Sequence, residues 1–140
     1  TGGVRVLNDE VVRMLNLTHE QIDRAATIEQ RELERREQAY RGNRPFPDLR
    51  GRTVILVDDG LATGSTMRAA AQAVRQHDPA KVVVAVPVAA PETCQEFREE
   101  VDEIVCAVTP APFYAVGLWY ENFDQTTDEE VRALLTRIHA

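Results

Sequence analysis

Three apolar runs in the second half of the chain constrain its fold more than any other feature. They are TVILVDD (53–59), KVVVAVPVAA (81–90) and EIVCAVTP (103–110), and helix-forming stretches separate them at 64–77 and 91–101. Val- and Ile-rich runs without polar alternation are typical of parallel strands that are buried on both faces. Parallel neighbours need long crossover connections, which the intervening helices supply. The sequence therefore predicts an α/β fold with a mostly parallel sheet and helices on both faces.

Two capping boxes predict helices outside this region. Thr18 and Gln21 begin a long periodic stretch that we expect to be helical over 17–42. Thr127 and Glu130 begin a helix that is predicted to run to the end of the chain. Each box satisfies two backbone N–H groups, so both helices should begin at defined residues.

Composition and charge argue against several classes of protein. At 140 residues, of which 44% are hydrophobic, the chain is one domain or part of one. Its net charge of −7 argues against broad nucleic-acid binding. It has no apolar run approaching about 18 residues, the length of a membrane-spanning helix. Cys94 and Cys106 lack metal-ligand spacing, and we expect them to be thiols in a reducing cytoplasm.

Two adjacent acids and a small-residue loop follow the first apolar run. Asp58 and Asp59 stand at the carboxyl end of that strand, where open parallel sheets bind ligands. The small and hydroxyl residues of the loop are Gly60, Ala62, Thr63, Gly64, Ser65 and Thr66. Because a helix begins there and offers free N–H groups, the loop suits a phosphate. The carboxylates suit a sugar diol or Mg²⁺, and a phosphate beside a diol is a ribose 5-phosphate.

Each of these features also has a plain structural explanation. A loop with Gly and Ser is most often only a helix start, and adjacent acids at a strand end are most often solvated. Their combination is more specific, and it matches neither a Walker A loop nor the dinucleotide-binding G-x-G-x-x-G motif.

The segment VILVDDGLATGSTM (54–67) closely resembles the motif with which type I phosphoribosyltransferases bind 5-phosphoribosyl 1-pyrophosphate (PRPP). The resemblance implies a three-layer α/β/α fold. It implies that Asp58 and Asp59 act in catalysis, bind the ribose 2- and 3-hydroxyls and hold Mg²⁺. It also implies that the backbone of 62–66, with the loop hydroxyls, holds the 5-phosphate.

Two departures from the family's pattern bear on function. Hypoxanthine–guanine enzymes of the family have an Asp where this chain has Ala62, which argues against a 6-oxopurine acceptor. The family also has a pyrophosphate-binding loop ahead of the segment matching GGVRVLND, in which we expect a strand at 2–8. We therefore expect 1–140 to be the C-terminal two-thirds of the domain, to pair with another copy and to turn over negligibly by itself.

The family's chemistry also needs cations for the departing pyrophosphate. Residues 30–52 occupy the place of a mobile loop in many members, and their arginines are candidates unless they belong to a solvated, salt-bridged helix. These candidates are Arg35, Arg36, Arg41 and Arg44.

Aromatic residues after the last strand are candidates for contact with a base. Phe113 and Tyr114 follow that strand at the ligand end of the sheet, where a ring can stack on a base. Alternatively, Trp119, Tyr120 and Phe123 pack the last helix against the core.

Two classes of function stay open. The first is a cytoplasmic enzyme of nucleotide metabolism that transfers phosphoribosyl from PRPP to a nitrogen nucleophile, such as a nucleobase, and releases pyrophosphate. The second is a non-catalytic regulator that senses PRPP or a nucleotide on the same fold. The acidic charge and the absence of a basic helix argue against a DNA-binding regulator.

Overall fold

The computed structural model describes residues 6, 7 and 9–138, without the side chains of residues 10 and 11. In chain order the elements are α1 (Asp9–Met14), α2 (His19–Arg41), β1 (Thr53–Val57), α3 (Ser65–Arg75), β2 (Lys81–Val88), α4 (Pro91–Glu100), β3 (Glu103–Val108), a short 3₁₀ helix (Val116–Trp119) and α5 (Asp128–Ile138). The described residues form two compact units: a helical unit, 9–47 with 124–138, and a sheet unit, which includes 48–123.

The sheet unit contains the parallel sheet that the sequence predicts. Its strand order is β1-β2-β3, and Val84 of β2 lies opposite Leu56 on one side and Ile104 on the other. Helices connect each strand to the next. The predicted α/β fold with a parallel sheet is therefore confirmed.

Helices α3 and α4 pack on one face of this sheet. Val82, Val84 and Val86 of β2 are buried there against Met67 of α3 and Phe97 of α4. Strand residues alternate between faces, so the neighbouring apolar side chains point the other way. On that other face, the exposed fractions of Ile55, Val57 and Val105 are 60%, 73% and 49%.

The helical unit contains the two predicted capping boxes. The Thr18 N–H donates to Gln21 Oε1 at 2.8 Å, and the Gln21 N–H donates to Thr18 Oγ1 at 3.2 Å. The Thr127 N–H donates to Glu130 Oε2 at 2.7 Å, with the reciprocal bond at 3.3 Å. Both predicted helix starts are confirmed. Among the described residues, no helix has the length and apolar character needed to cross a membrane.

Asp128 joins α2 to α5 within this unit. Its carboxylate accepts the Tyr40 hydroxyl at 2.6 Å and a guanidinium N–H of Arg35 at 2.7 Å. These two bonds lower the pKa of Asp128. Hydrogen bonds from Arg35 and then Arg36 likewise lower the pKa of Glu32 to about 2.

Two expectations about local structure have different outcomes. The strand predicted at 2–8 lies mostly outside the described residues; Val6 and Leu7, which are described, belong to no regular element. The prediction that Cys94 and Cys106 are free thiols is wrong, because they form a disulfide between α4 and β3. The turn from α4 into β3 brings the two side chains together, and their sequence spacing carries no signal of this contact.

Candidate functional site

The loop after β1 crosses the carboxyl end of the neighbouring strand. The Leu61 N–H donates to Val88 O at 3.0 Å, and the Ala90 N–H donates to Leu61 O at 2.9 Å. Leu61 therefore forms a parallel bridge with Ala89, and its side chain is buried. This bridge fixes the middle of the loop between the acidic pair and α3.

Two glycines allow the loop to pack this closely. A Cβ on Gly60 would lie 2.7 Å from Val116 Cγ1, and a Cβ on Gly64 would lie 2.5 Å from Phe97 Cε2. Gly64 also has a φ of +74°, which favours glycine. The small residues that the sequence assigned to ligand approach are thus required by the protein's own packing as well.

Side chains from α3 and α4 hold the loop from beneath. Thr93 Oγ1 donates to Ala62 O at 2.6 Å, and Arg68 Nη1 donates to Thr63 O at 2.7 Å. Ion pairs with Glu96 (2.6 Å) and Glu100 (2.7 Å) orient Arg68 in turn. The roles of Thr93 and Arg68 could not be read from the sequence, because no local pattern marks a contact between a helix side chain and the carbonyls of this loop.

The N-terminus of α3 faces the loop without a side-chain cap. Its N-cap residue is Gly64, and its first turn contains no acidic residue. The hydroxyls of Thr63 and Ser65 lie 3.2 Å apart beside it. An uncapped helix N-terminus offers several N–H donors and a partial positive charge to an anion.

A cavity of about 190 Å³ opens at this point. It is lined by Asp58, Gly60, Leu61, Ala62, Thr63, Gly64, Ser65, Thr66, Met67 and Val116. The structure thus brings every predicted loop residue together with Asp58. Leu61, Met67 and Val116 complete the lining and were not predicted.

Asp58 lines this cavity, whereas its neighbour Asp59 is not among the described residues that line it. The Asp59 N–H donates to Asp58 Oδ1 at 2.9 Å, and Asp59 O accepts the Tyr120 hydroxyl at 2.6 Å. The residue Asp59 stays exposed as a whole, but partial burial of its carboxyl and then the charge of Asp58 raise its pKa. A bound cation would relieve this repulsion.

The donor set fits Mg²⁺ in one particular way. Among the described residues, no group of three or more His, Cys, Asp or Glu side chains is placed to hold a metal ion. Mg²⁺ commonly takes only one or two protein carboxylates and completes its shell with water and substrate phosphate oxygens. Asp58 and Asp59 suit that role, and the metal stays a prediction.

The predicted pyrophosphate arginines lie in the helical unit, where each has protein contacts. Arg35 pairs with Glu32 and Asp128, and Arg36 pairs with Glu32. The other two contact their own neighbourhood: Arg41 stacks over Phe46 with 4.7 Å to the ring centroid, and Arg44 donates to the carbonyls of Tyr40 and Arg41. A role in holding pyrophosphate stays a prediction for these arginines.

The aromatic segment lies beside the acidic pair. Tyr114 is 81% exposed, and Phe113 O accepts the Trp119 indole N–H at 3.1 Å. Neither Phe113 nor Tyr114 is among the described residues that line the 190 Å³ cavity. Their contact with a base stays a prediction. The contacts found for Trp119, Tyr120 and Phe123 lie within the sheet unit.

A parallel α/β sheet with an uncapped helix N-terminus and paired acids at its carboxyl end belongs to the class of α/β proteins whose strand ends are suited to an anionic ligand. The family described as "Phosphoribosyl transferase domain" matches residues 3–118. The chain belongs to this family, as its motif predicted.

Relatives and a solved structure agree with this assignment. The chain is 47% identical over 137 residues to the "Putative phosphoribosyl transferase Rv0571c" of Mycobacterium tuberculosis, and the match spans 98% of this chain but 31% of that protein. It is 36% identical over 59 residues, 42% of the chain and 28% of the relative, to the uracil phosphoribosyltransferase of Aquifex aeolicus. The crystal structure of TT1426 from Thermus thermophilus is similar with a TM-score of 0.74 and 40% identity, covering 94% of this chain and 62% of that one.

Proposed function

We propose that this site binds PRPP and that the protein transfers its phosphoribosyl group to a nitrogen nucleophile, with release of pyrophosphate. The observation behind the proposal is the uncapped N-terminus of α3, which opens on a cavity that Asp58 also lines. Membership of the phosphoribosyl transferase domain family supports it.

The loop and the acids bind different parts of PRPP. The N–H groups at the start of α3 and the hydroxyls of Thr63, Ser65 and Thr66 receive the 5-phosphate. Asp58 and Asp59 accept hydrogen bonds from the ribose 2- and 3-hydroxyls. Thr93 and Arg68 keep the loop carbonyls turned away from the phosphate, because they hold Ala62 O and Thr63 O from beneath.

The reaction itself exchanges one bond at C1 of the ribose. The nitrogen nucleophile forms a bond to C1 and loses a proton, while the bond between C1 and the pyrophosphate oxygen breaks and its electron pair leaves with pyrophosphate. Asp58 and Asp59 would hold Mg²⁺, which when bound would supply positive charge for the leaving group. The protein fixes the ribose so that the nucleophile and the leaving group lie on opposite sides of C1.

A nucleobase is the proposed acceptor. Ala62 stands where 6-oxopurine enzymes have an Asp, and the partial likeness to a uracil phosphoribosyltransferase supports a base without that contact. The test is release of pyrophosphate from PRPP by the full-length protein with a panel of nucleobases, followed by identification of the nucleotide product, since residues 1–140 are expected to turn over negligibly by themselves. Binding of PRPP without turnover on any base would favour the regulator over the enzyme.

Calorimetry with PRPP and Mg²⁺ tests the binding proposal directly. Replacing both Asp58→Asn and Asp59→Asn should raise the dissociation constant at least about tenfold, since a hydrogen bond to a charged group contributes roughly 1.5–3 kcal/mol. The control is Glu99→Gln with Glu103→Gln, which makes the same change in net charge at two exposed acids of the sheet unit. Equal weakening in both double variants would contradict the assigned role of the acidic pair.

A further inference from the structure

The Tyr120 hydroxyl donates a hydrogen bond to a backbone carbonyl of the acidic pair that lies beyond the end of β1. β1 ends at Val57, and regular pairing resumes at Leu61 with Ala89. Between them, the Asp59 N–H is taken by Asp58 Oδ1 and the Asp59 carbonyl by the Tyr120 hydroxyl at 2.6 Å. We propose that Tyr120 is a positioning residue that aims the Asp58–Asp59 pair at the ribose diol; this inference rests on the proposed function.

Tyr120 can serve this role because its own position is fixed. It directly follows the 3₁₀ helix, and its N–H donates to Gly117 O at 3.4 Å. Its ring packs on Phe123 with the centroids 5.1 Å apart. The same 3₁₀ helix places Val116 against Gly60, so the segment contacts the acidic stretch at two points.

The Tyr120 hydroxyl bonds to the backbone carbonyl of Asp59, which lies outside the proposed phosphate loop, residues 62–66. Ala62 O and Thr63 O are held by Thr93 and Arg68, which belong to other helices. Loss of the Tyr120 hydroxyl should therefore remove the hydrogen bond to the Asp59 carbonyl. The bonds from Thr93 and Arg68 to the loop carbonyls should remain. Because a diol needs carboxylate oxygens at defined distances, this change should weaken binding of the diol and spare binding of the phosphate.

Three ligands separate these effects: inorganic phosphate, ribose 5-phosphate and 2-deoxyribose 5-phosphate, each titrated with Mg²⁺ into the 140-residue chain. Tyr120→Phe should weaken ribose 5-phosphate by about three- to tenfold, the range that one hydrogen bond supplies, and leave inorganic phosphate unchanged. The preference for ribose over 2-deoxyribose 5-phosphate should also shrink, because the 2-deoxy sugar offers the acidic pair only its 3-hydroxyl. Trp119→Phe, which removes the neighbouring bond to Phe113 O, should change none of the three affinities.

Two results would overturn the inference. Equal weakening of phosphate and ribose 5-phosphate in Tyr120→Phe would mean that the residue only supports the fold, and no change in any affinity would mean that it positions nothing. The proposed function fails by a different result, seen in the wild-type chain alone. If the unaltered chain binds ribose 5-phosphate no better than inorganic phosphate, it has no diol site, and the role of Tyr120 falls with it.

Discussion

At the scale of single residues, the loop between the acids and α3 serves two demands at once. Its small residues would let the proposed phosphate approach the backbone, and they also let the loop lie against α4 and the aromatic segment. Gly64 shows the packing demand most clearly, since it has a positive φ and faces the fully buried ring of Phe97.

The substitution Gly64→Ala should reveal the packing demand through the free energy of unfolding. Alanine at this φ costs about 1–2 kcal/mol, and the contact with Phe97 adds the roughly 1–3 kcal/mol typical of overpacking. Gly51→Ala is the matched control, because Gly51 has a φ of +67° with nothing within 4 Å of its added Cβ. Urea unfolding should show the greater loss for Gly64→Ala; equal losses would exclude the Phe97 contact as a cause.

At the scale of elements, Asp102 joins three parts of the sheet unit. Its carboxylate accepts the Val82 N–H at the start of β2 at 2.7 Å and pairs with Arg75 of α3 at 2.9 Å, while its own N–H donates to Val82 O. The Val82 bond and then the Arg75 contact lower the pKa of Asp102.

This lowered pKa predicts a pH-dependent contribution to stability. Because the folded pKa lies below that of an unfolded Asp, about 3.9, the contribution is complete above that value and is lost as pH falls through the folded pKa. The stability difference between the wild type and Asp102→Asn should be constant from about pH 5 to 7 and shrink below about pH 4. Glu103→Gln, at an exposed acid with no ion pair among the described residues, is the control for removal of one negative charge, and each variant is unfolded in urea at each pH. A difference for Asp102→Asn that persists undiminished at about pH 2 would contradict the assignment.

Much of this element-level architecture could be predicted, because its signals are local. Runs of Val and Ile define the strands, and each capping box lies within four consecutive residues. The supports of the site could not be predicted, because they join distant parts of the chain: Thr93 to Ala62, Arg68 to Glu100 and Tyr120 to Asp59. The Cys94–Cys106 disulfide was missed for the same reason.

At the scale of the whole molecule, the contacts that support the candidate site and those that join α2 to α5 lie in different units. The supports found for the acidic pair and the phosphate loop all lie within 48–123, whereas the Asp128 bonds join α2 to α5 in the helical unit. With a net charge of −7, the molecule as a whole repels an anion, so the proposed binding of a phosphate would depend on this local set of donors.

The same substitution at two tyrosines tests this division. Tyr40→Phe removes the hydroxyl that donates to Asp128, and Tyr120→Phe removes the one that donates to Asp59 O. We expect Tyr40→Phe to speed amide hydrogen exchange in α2 and α5 and to leave the affinity for ribose 5-phosphate unchanged, because no support of the site is touched. Tyr120→Phe should weaken that affinity and leave exchange in α2 and α5 unchanged.

Hydrogen exchange measured by mass spectrometry, with calorimetry on the same samples, tests both expectations. If Tyr40→Phe weakens ribose 5-phosphate as much as Tyr120→Phe does, the helical unit contributes to the site, and the arginines of α2 become the first residues to test for that contribution.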